Sequence, residues 1–204
     1  MFIWFVISAL GMAAMVPLHF ASVEHRKLET KYGNEKGRKI GEILGLVSGW
    51  GFFLFWIGIW VSPQPRFHIS SALPNLPIHL PFIKTSIPLL HVLTSIILLV
   101  PGGWLALLAV RKTSLRVAET HRAERIVTDS VYSIVRHPQY LGGLLAHVGI
   151  SFLLSAWLSA VTTPLIVLLL WLISSKEEKE LVREFGREYQ EYKEDVPMFI
   201  PKLP

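Results

Sequence analysis

Charge is missing from four long stretches of this chain. Phe2 to Phe20 and Ile43 to Val61 are each 19 residues without Lys, Arg, Asp or Glu. Ile87 to Val110 is a third such run, with Pro101-Gly102-Gly103 inside it as an expected kink. Tyr140 to Ser175 is a fourth, 36 residues long. About 20 apolar residues cross the hydrocarbon core of a bilayer. The first three runs therefore predict one spanning helix each. The fourth is too long for one span and just long enough for two short ones, with a tight turn at Ser155-Ala156-Trp157-Leu158-Ser159. The pattern predicts an all-α integral membrane fold of about five transmembrane helices, the last two a tight hairpin.

The polar segments assign a direction. Residues 21–42 carry six basic residues, residues 111–138 six, and the tail after Ser175 six, whereas residues 62–86 carry only Arg66 and Lys84. The positive-inside rule puts the first three segments in the cytoplasm and the Pro-rich 62–86 loop outside. The N-terminus is then outside. No Lys or Arg precedes Arg26, so the first run lacks the basic start of a signal peptide and reads as a retained span. The net charge of +5 follows from this topology and calls for no nucleic acid. Only 17% of residues are charged, against about 25% in soluble domains. The absence of cysteine excludes disulfides, Cys-based metal sites and Cys nucleophiles.

Residues 176–195, "KEEKELVREFGREYQEYKED", place Leu181, Phe185, Tyr189 and Tyr192 at helical spacing opposite a charged face. They predict a cytoplasmic amphipathic helix lying on the membrane surface or on the hairpin, with Gly186 as its weak or close-contact point. Glu177 and Glu178 sit where the fifth span leaves the bilayer, a position that interfacial anchoring normally gives to Lys, Arg, Trp or Tyr. At the start of the fourth span stands "VRHPQYLGG", residues 135–143. Taken alone, it reads as a helix start, with Arg136 reaching headgroups, Pro138 in the first turn and Tyr140 as an interfacial anchor. The hairpin changes that reading, because it returns the chain to the same face. Arg136, His137 and Tyr140 can then meet Glu177 and Glu178, and ionisable groups gathered at membrane depth usually serve a function. Gly142 and Gly143 leave a bare patch for helix packing or ligand approach. Such a cluster suits a zwitterion with an amino-acid end, a description that S-adenosylmethionine meets among other ligands. The eight histidines include no pair four apart on one helix and no HExxH, so no metal is expected. His91 and His147, inside spans, read as hydrogen-bonded packing residues.

The stretch "ERIVTDSVYSIVRHPQYLGG", followed after the hydrophobic run by "KEEKELVREFGREYQEYKEDVPMFIP", resembles the isoprenylcysteine carboxyl methyltransferases and related phospholipid methyltransferases. The likeness covers about residues 124–201. It implies a membrane enzyme that binds S-adenosylmethionine at the cytoplasmic interface. Arg136, His137, Pro138, Tyr140, Gly142, Glu177 and Glu178 would form the cofactor site, with Arg136 and Glu178 in catalytic roles. A lipophilic acceptor would enter from the bilayer. Residues 1–110 would supply three helices, and residues 111–204 the cofactor-binding region of a single structural domain. Three positions depart from the family pattern. Glu124 stands where a His is usual, Ser130 where a Gly is usual, and Met198 where an Arg is usual.

Methyl transfer from a sulfonium is an in-line displacement that depends on alignment and water exclusion. A carboxylate acceptor needs no base, only an orienting cation such as Arg136, Arg125 or Arg122. An amine would need Glu178 or His137 as base. With no dedicated base in view, carboxyl O-methylation of an isoprenylcysteine-like acceptor is the leading expectation. A phospholipid, or another small lipophilic amine or thiol, is the alternative. An NADPH-dependent membrane reductase of the sterol-reductase-like group and a non-enzymatic membrane protein remain as rivals.

Overall fold

The computed structural model describes residues 2–69, 77–79, 86–123 and 125–202. The helices are α1 (Ile3–Val23), α2 (His25–Tyr32), α3 (Asn34–Val61), α4 (Leu89–Thr113), α5 (Leu115–Thr120), α6 (Pro138–Leu153), α7 (Trp157–Val161), α8 (Thr163–Phe185) and α9 (Arg187–Asp195). A 3-10 turn covers Ser130–Ser133. Two three-residue strands, β1 (Pro77–His79) and β2 (Ser86–Pro88), pair antiparallel with Ile78 opposite Ile87. This ribbon and an isolated antiparallel bridge between Arg66 and Ala156 are small additions to the expected all-helical fold.

Three helices, α1, α3 and α4, are long and apolar enough to cross a membrane. Their outward faces are apolar: Leu10, Leu54, Ile97, Val100 and Leu107 are each more than 60% exposed. The interior holds much of the polarity. Ser8, Ser22, Ser48, His91, Ser95, His147, Ser151 and Ser159 are all buried. A lipid surroundings accounts for this inversion, since polar groups that cannot reach water must find partners inside. His147 shows the result. The Trp56 and Trp60 indole N–H groups both donate to its Nδ1 at 2.9 Å, and its Nε2–H donates to the Ser159 carbonyl at 3.1 Å. His91 likewise accepts from the Ile69 amide at 3.1 Å and bonds Ser155 Oγ at 2.9 Å. Both behave as the packing histidines expected from their positions.

Helix pairing follows small residues. α1 packs along α3, and α4 along α6. Gly102 and Gly142 meet where α4 crosses α6, and a Cβ added at Gly142 would lie 2.5 Å from the Gly102 carbonyl oxygen. Gly142 thus serves close helix packing.

Two features differ from the sequence expectation. The connection after α6 is more than a tight turn: Ser155 takes φ +52°, and the short helix α7 intervenes before α8. α8 leans chiefly on α1, not on α6. The expected tail helix is not a separate element either. α8 runs unbroken from its apolar part, Thr163 to Ser175, through Glu177 and Glu178 to Phe185. Helix geometry persists because no Gly or Pro interrupts it until Gly186, whose φ of +62° ends the helix and starts α9. α6, at 16 residues, is about 24 Å long at 1.5 Å per residue, shorter than α1, α3 or α4.

Candidate active site at the α6 and α8 ends

Pro138 occupies the first turn of α6, where its missing N–H leaves no bond unmade. That fixed start sets Arg136 and His137 just ahead of the helix and Tyr140 on its first turn. α8 brings Glu177 and Glu178 to the same level. The Tyr140 hydroxyl donates to Glu177 Oε1 at 2.5 Å. The Arg136 guanidinium grips Glu178 twice, Nε to Oε1 at 2.7 Å and Nη2 to Oε2 at 3.2 Å. His137 stands between the two carboxylates, with Nε2 3.1 Å from Glu178 Oε1 and Nδ1 3.7 Å from Glu177 Oε2. Lys193 of α9 adds a contact to Glu178 Oε2 at 3.1 Å.

A third element enters from α1. His19 Nε2–H donates to Glu177 Oε1 at 2.8 Å, and the His121 ring lies 4.0 Å from the His19 ring. Glu178 is only 2% exposed. Burial pushes its carboxyl up, but hydrogen bonds and charge from His137 and Arg136 outweigh burial and hold it at about 2. Glu177 is held down in the same way against burial, mainly by the His19 hydrogen bond. Both carboxylates are therefore anionic at neutral pH. Burial, reinforced by the neighbouring His19, depresses His121 to about 3, so its imidazole is neutral. Burial raises the Tyr189 and Tyr192 hydroxyls, which stay protonated on the buried face of α9.

A cavity of about 1050 Å³ opens beside this cluster. Its wall includes the polar groups of His19, His121, Tyr140 and Glu177. It also includes aromatic side chains, of which Trp50 and Phe53 are exposed on the outer face of α3.

The family model for phospholipid methyltransferase matches residues 90–188. Residues 90–188 are thus similar to that family. Among similar curated proteins is the protein-S-isoprenylcysteine O-methyltransferase of Schizosaccharomyces pombe. It is 40% identical over 83 residues, which cover 39% of this chain and 34% of the relative. Protein-S-isoprenylcysteine O-methyltransferase B of Arabidopsis thaliana is 37% identical over 81 residues, 38% of this chain and 40% of the relative. Methanethiol S-methyltransferase 2 of Bradyrhizobium diazoefficiens is 38% identical over 78 residues, 37% of this chain and 29% of the relative. The chain thus aligns with two fifths or less of each of these relatives' length. No solved structure matches it.

The phospholipid methyltransferase stretch contains Arg136, His137, Pro138, Tyr140, Gly142, Glu177 and Glu178, and the fold brings together all of them but Gly142, which faces α4 while also bordering the cavity. Arg136 is more heavily engaged than the sequence suggested. Besides Glu178, its Nη1 donates to the carbonyls of Lys193, at 2.9 Å, and Val196. The backbone amides of Arg136 and His137 donate to the Pro197 and Met198 carbonyls at 2.9 and 3.2 Å. Residues 196–198 therefore form a strap across the cluster from outside the family stretch. Met198 acts in this strap through its main chain, which tolerates the replacement of an Arg side chain. Ser130 takes φ +59°, a backbone region that favours the Gly usual there. Glu124 lies outside the described residues. Sequence reasoning did not place His19 or His121 in the cluster. A polar residue at the end of an otherwise apolar span was the available signal for His19.

Proposed function

We propose that the chain is an integral membrane, S-adenosylmethionine-dependent methyltransferase acting on a lipophilic acceptor. The cavity carries this reading, because it joins a buried carboxylate and imidazole wall to an aromatic wall exposed on a membrane helix. The match to the phospholipid methyltransferase model and the methyltransferase names of the relatives support it. In this reading α6 and the apolar part of α8 cross the bilayer with α1, α3 and α4. That makes five crossings, with the N-terminus outside, the cluster at the cytoplasmic face, and residues 111–204 as the main cofactor-binding region. No metal takes part.

The residues fit the cofactor. Glu177 presents an anion to the cavity for an ammonium or sulfonium, and His137 and Tyr140 are fixed beside it. S-adenosylmethionine supplies an electrophilic methyl group on a sulfonium sulfur. Glu178 holds Arg136, and Arg136 holds the strap, so the wall is set before ligand arrives. The aromatic wall excludes water and accepts the hydrocarbon part of the acceptor.

The relatives' names give two acceptor chemistries, a prenylcysteine carboxylate and a thiol. Carboxylate methylation needs an orienting cation. Of the arginines considered for that role, Arg136 is taken up by Glu178 and main-chain carbonyls, and Arg122 pairs with Glu29 at 2.8 Å. Arg125 borders the cavity. Incubating membranes that contain the protein with methyl-labelled S-adenosylmethionine, then fractionating lipids and proteins, tests the function. Label in a lipophilic product above the level of membranes lacking the protein is expected. Incorporation equal to that control contradicts the proposal.

A further inference from the structure

We propose that His121 is the base that takes the proton of a protic acceptor, an S–H or N–H compound, during methyl transfer. This rests on the methyltransferase reading above and adds to it the residue that would decide the acceptor class.

Hydrogen bonds fix the state of this ring. Ser22, fully buried, donates its hydroxyl proton to the His19 carbonyl at 2.7 Å. Its oxygen, 2.9 Å from His121 Nδ1, must therefore accept the Nδ1 proton. A neutral imidazole protonated on Nδ1 has its lone pair on Nε2. That nitrogen has no hydrogen-bond partner among the described residues and faces the cavity. A Cβ added at Gly49, on the cavity wall, would lie 3.6 Å from it. The residue is fixed further. His25 Nε2–H donates to the His121 carbonyl at 3.1 Å, the His19 ring lies tilted against the His121 ring with 4.0 Å between centroids, and the backbone takes φ +55° at the end of α5. A non-glycine residue in this conformation is uncommon, and such outliers cluster at functional sites.

The groups facing His121 are His19, His25, Ser22 and, through His19, Glu177. Among the described residues no guanidinium or ammonium hydrogen-bonds to it. A lone pair aimed into the cavity repels a carboxylate and attracts an X–H proton. The transfer balances without any other reagent. The acceptor atom forms a bond to the methyl carbon, the carbon–sulfur bond breaks with its electron pair left on sulfur, and the X–H proton passes to His121 Nε2. The resulting imidazolium returns that proton to water at the cavity mouth.

The test uses the full-length protein in nanodiscs with labelled S-adenosylmethionine and three probes of equal chain length: dodecanethiol, dodecylamine and laurate. His121→Asn tolerates the left-handed backbone, so it keeps the fold. Cofactor affinity, read by calorimetry, should stay within about twofold of wild type. Turnover of the thiol or amine should fall by about 10² or more, with KM little changed, the usual worth of a positioned base. The acidic limb of the pH–rate profile should disappear. Imidazole nitrogen NMR should show His121 neutral with its proton on Nδ1, and Ser22→Ala should scramble that tautomer. Turnover unchanged by the substitution, or laurate as the only acceptor used, overturns the proposal. So does a cofactor affinity that falls in step with turnover, which would make His121 a cofactor contact. Wild type that binds no S-adenosylmethionine defeats the methyltransferase reading itself, a separate outcome.

Discussion

Two histidines ten positions apart, His137 just ahead of α6 and His147 within it, each anchor a buried polar network. Around His147 the network is closed. Two indole N–H groups and one carbonyl use both ring nitrogens, Ser151 and Ser159 bond each other at 2.7 Å, and no charged group takes part. His147 does not border the cavity. Around His137 the network is charged and open to the cavity, with two carboxylates shared among Arg136, Lys193, Tyr140, His137 itself and one further imidazole, His19. Burial of polar groups alone therefore does not mark a site in this protein. Net charge beside accessible space does.

Substitutions can break this contrast, and the largest effect belongs to Glu178. Glu178→Ala leaves the buried Arg136 guanidinium without its carboxylate partner. Losing one partner of a buried pair costs about 3–5 kcal/mol. We expect the detergent-solubilised protein to unfold at a markedly lower temperature and to lose cofactor binding. His147→Leu orphans the Trp56 and Trp60 N–H groups, at about 1–3 kcal/mol. Its expected signature is different: lower thermal stability with cofactor affinity unchanged. If His147→Leu abolished binding while leaving stability intact, the contrast between the two networks would be wrong.

Much of the charged network was legible in the sequence. Arg136, His137 and Tyr140 precede a 36-residue uncharged run, and Glu177 and Glu178 follow it, so topology alone returns them to one face. The packing role of His147 was legible for the same reason, being a lone polar group within a span. The rest came from elements far apart in sequence. His19 reaches Glu177 across 158 positions, and His121 reaches Ser22 across 99. Periodicity carries no information about such meetings. The continuity of α8 was hidden by the change from apolar to charged residues at Lys176, which marks a change of surroundings but no break in the backbone. Gly186 did announce the real break.

Acid should weaken the charged cluster. His121 titrates at about 3 in the fold against an ordinary 6.5, and Glu178 at about 2 against 4.5. Both folded values lie below the unfolded ones, so the unfolded chain takes up more protons as pH falls. The His121 contribution is full above pH 6.5 and lost progressively towards pH 3. That of Glu178 is full above pH 4.5 and lost towards pH 2. Unfolding temperature should therefore decline from about pH 6.5 downward, and His121→Asn should make that decline shallower. A wild-type curve flat down to pH 4 would remove His121 from the account.

The smallest effect concerns Ser130, at φ +59°. Ser130→Gly relieves left-handed strain and should raise stability by up to about 1 kcal/mol without touching either network. Thermal unfolding beside wild type measures it.

The central claim is that the cavity beside Glu177 and Glu178 binds S-adenosylmethionine. Calorimetric titration of the purified full chain with this cofactor tests it most directly, with Glu177→Gln and His147→Leu as paired variants. Glu177→Gln keeps the shape and removes the anion, so affinity should fall by tenfold or more, in keeping with the strength of charge-assisted hydrogen bonds. His147→Leu should bind as wild type does. Equal affinity in wild type and Glu177→Gln, or no binding by wild type, would contradict the account.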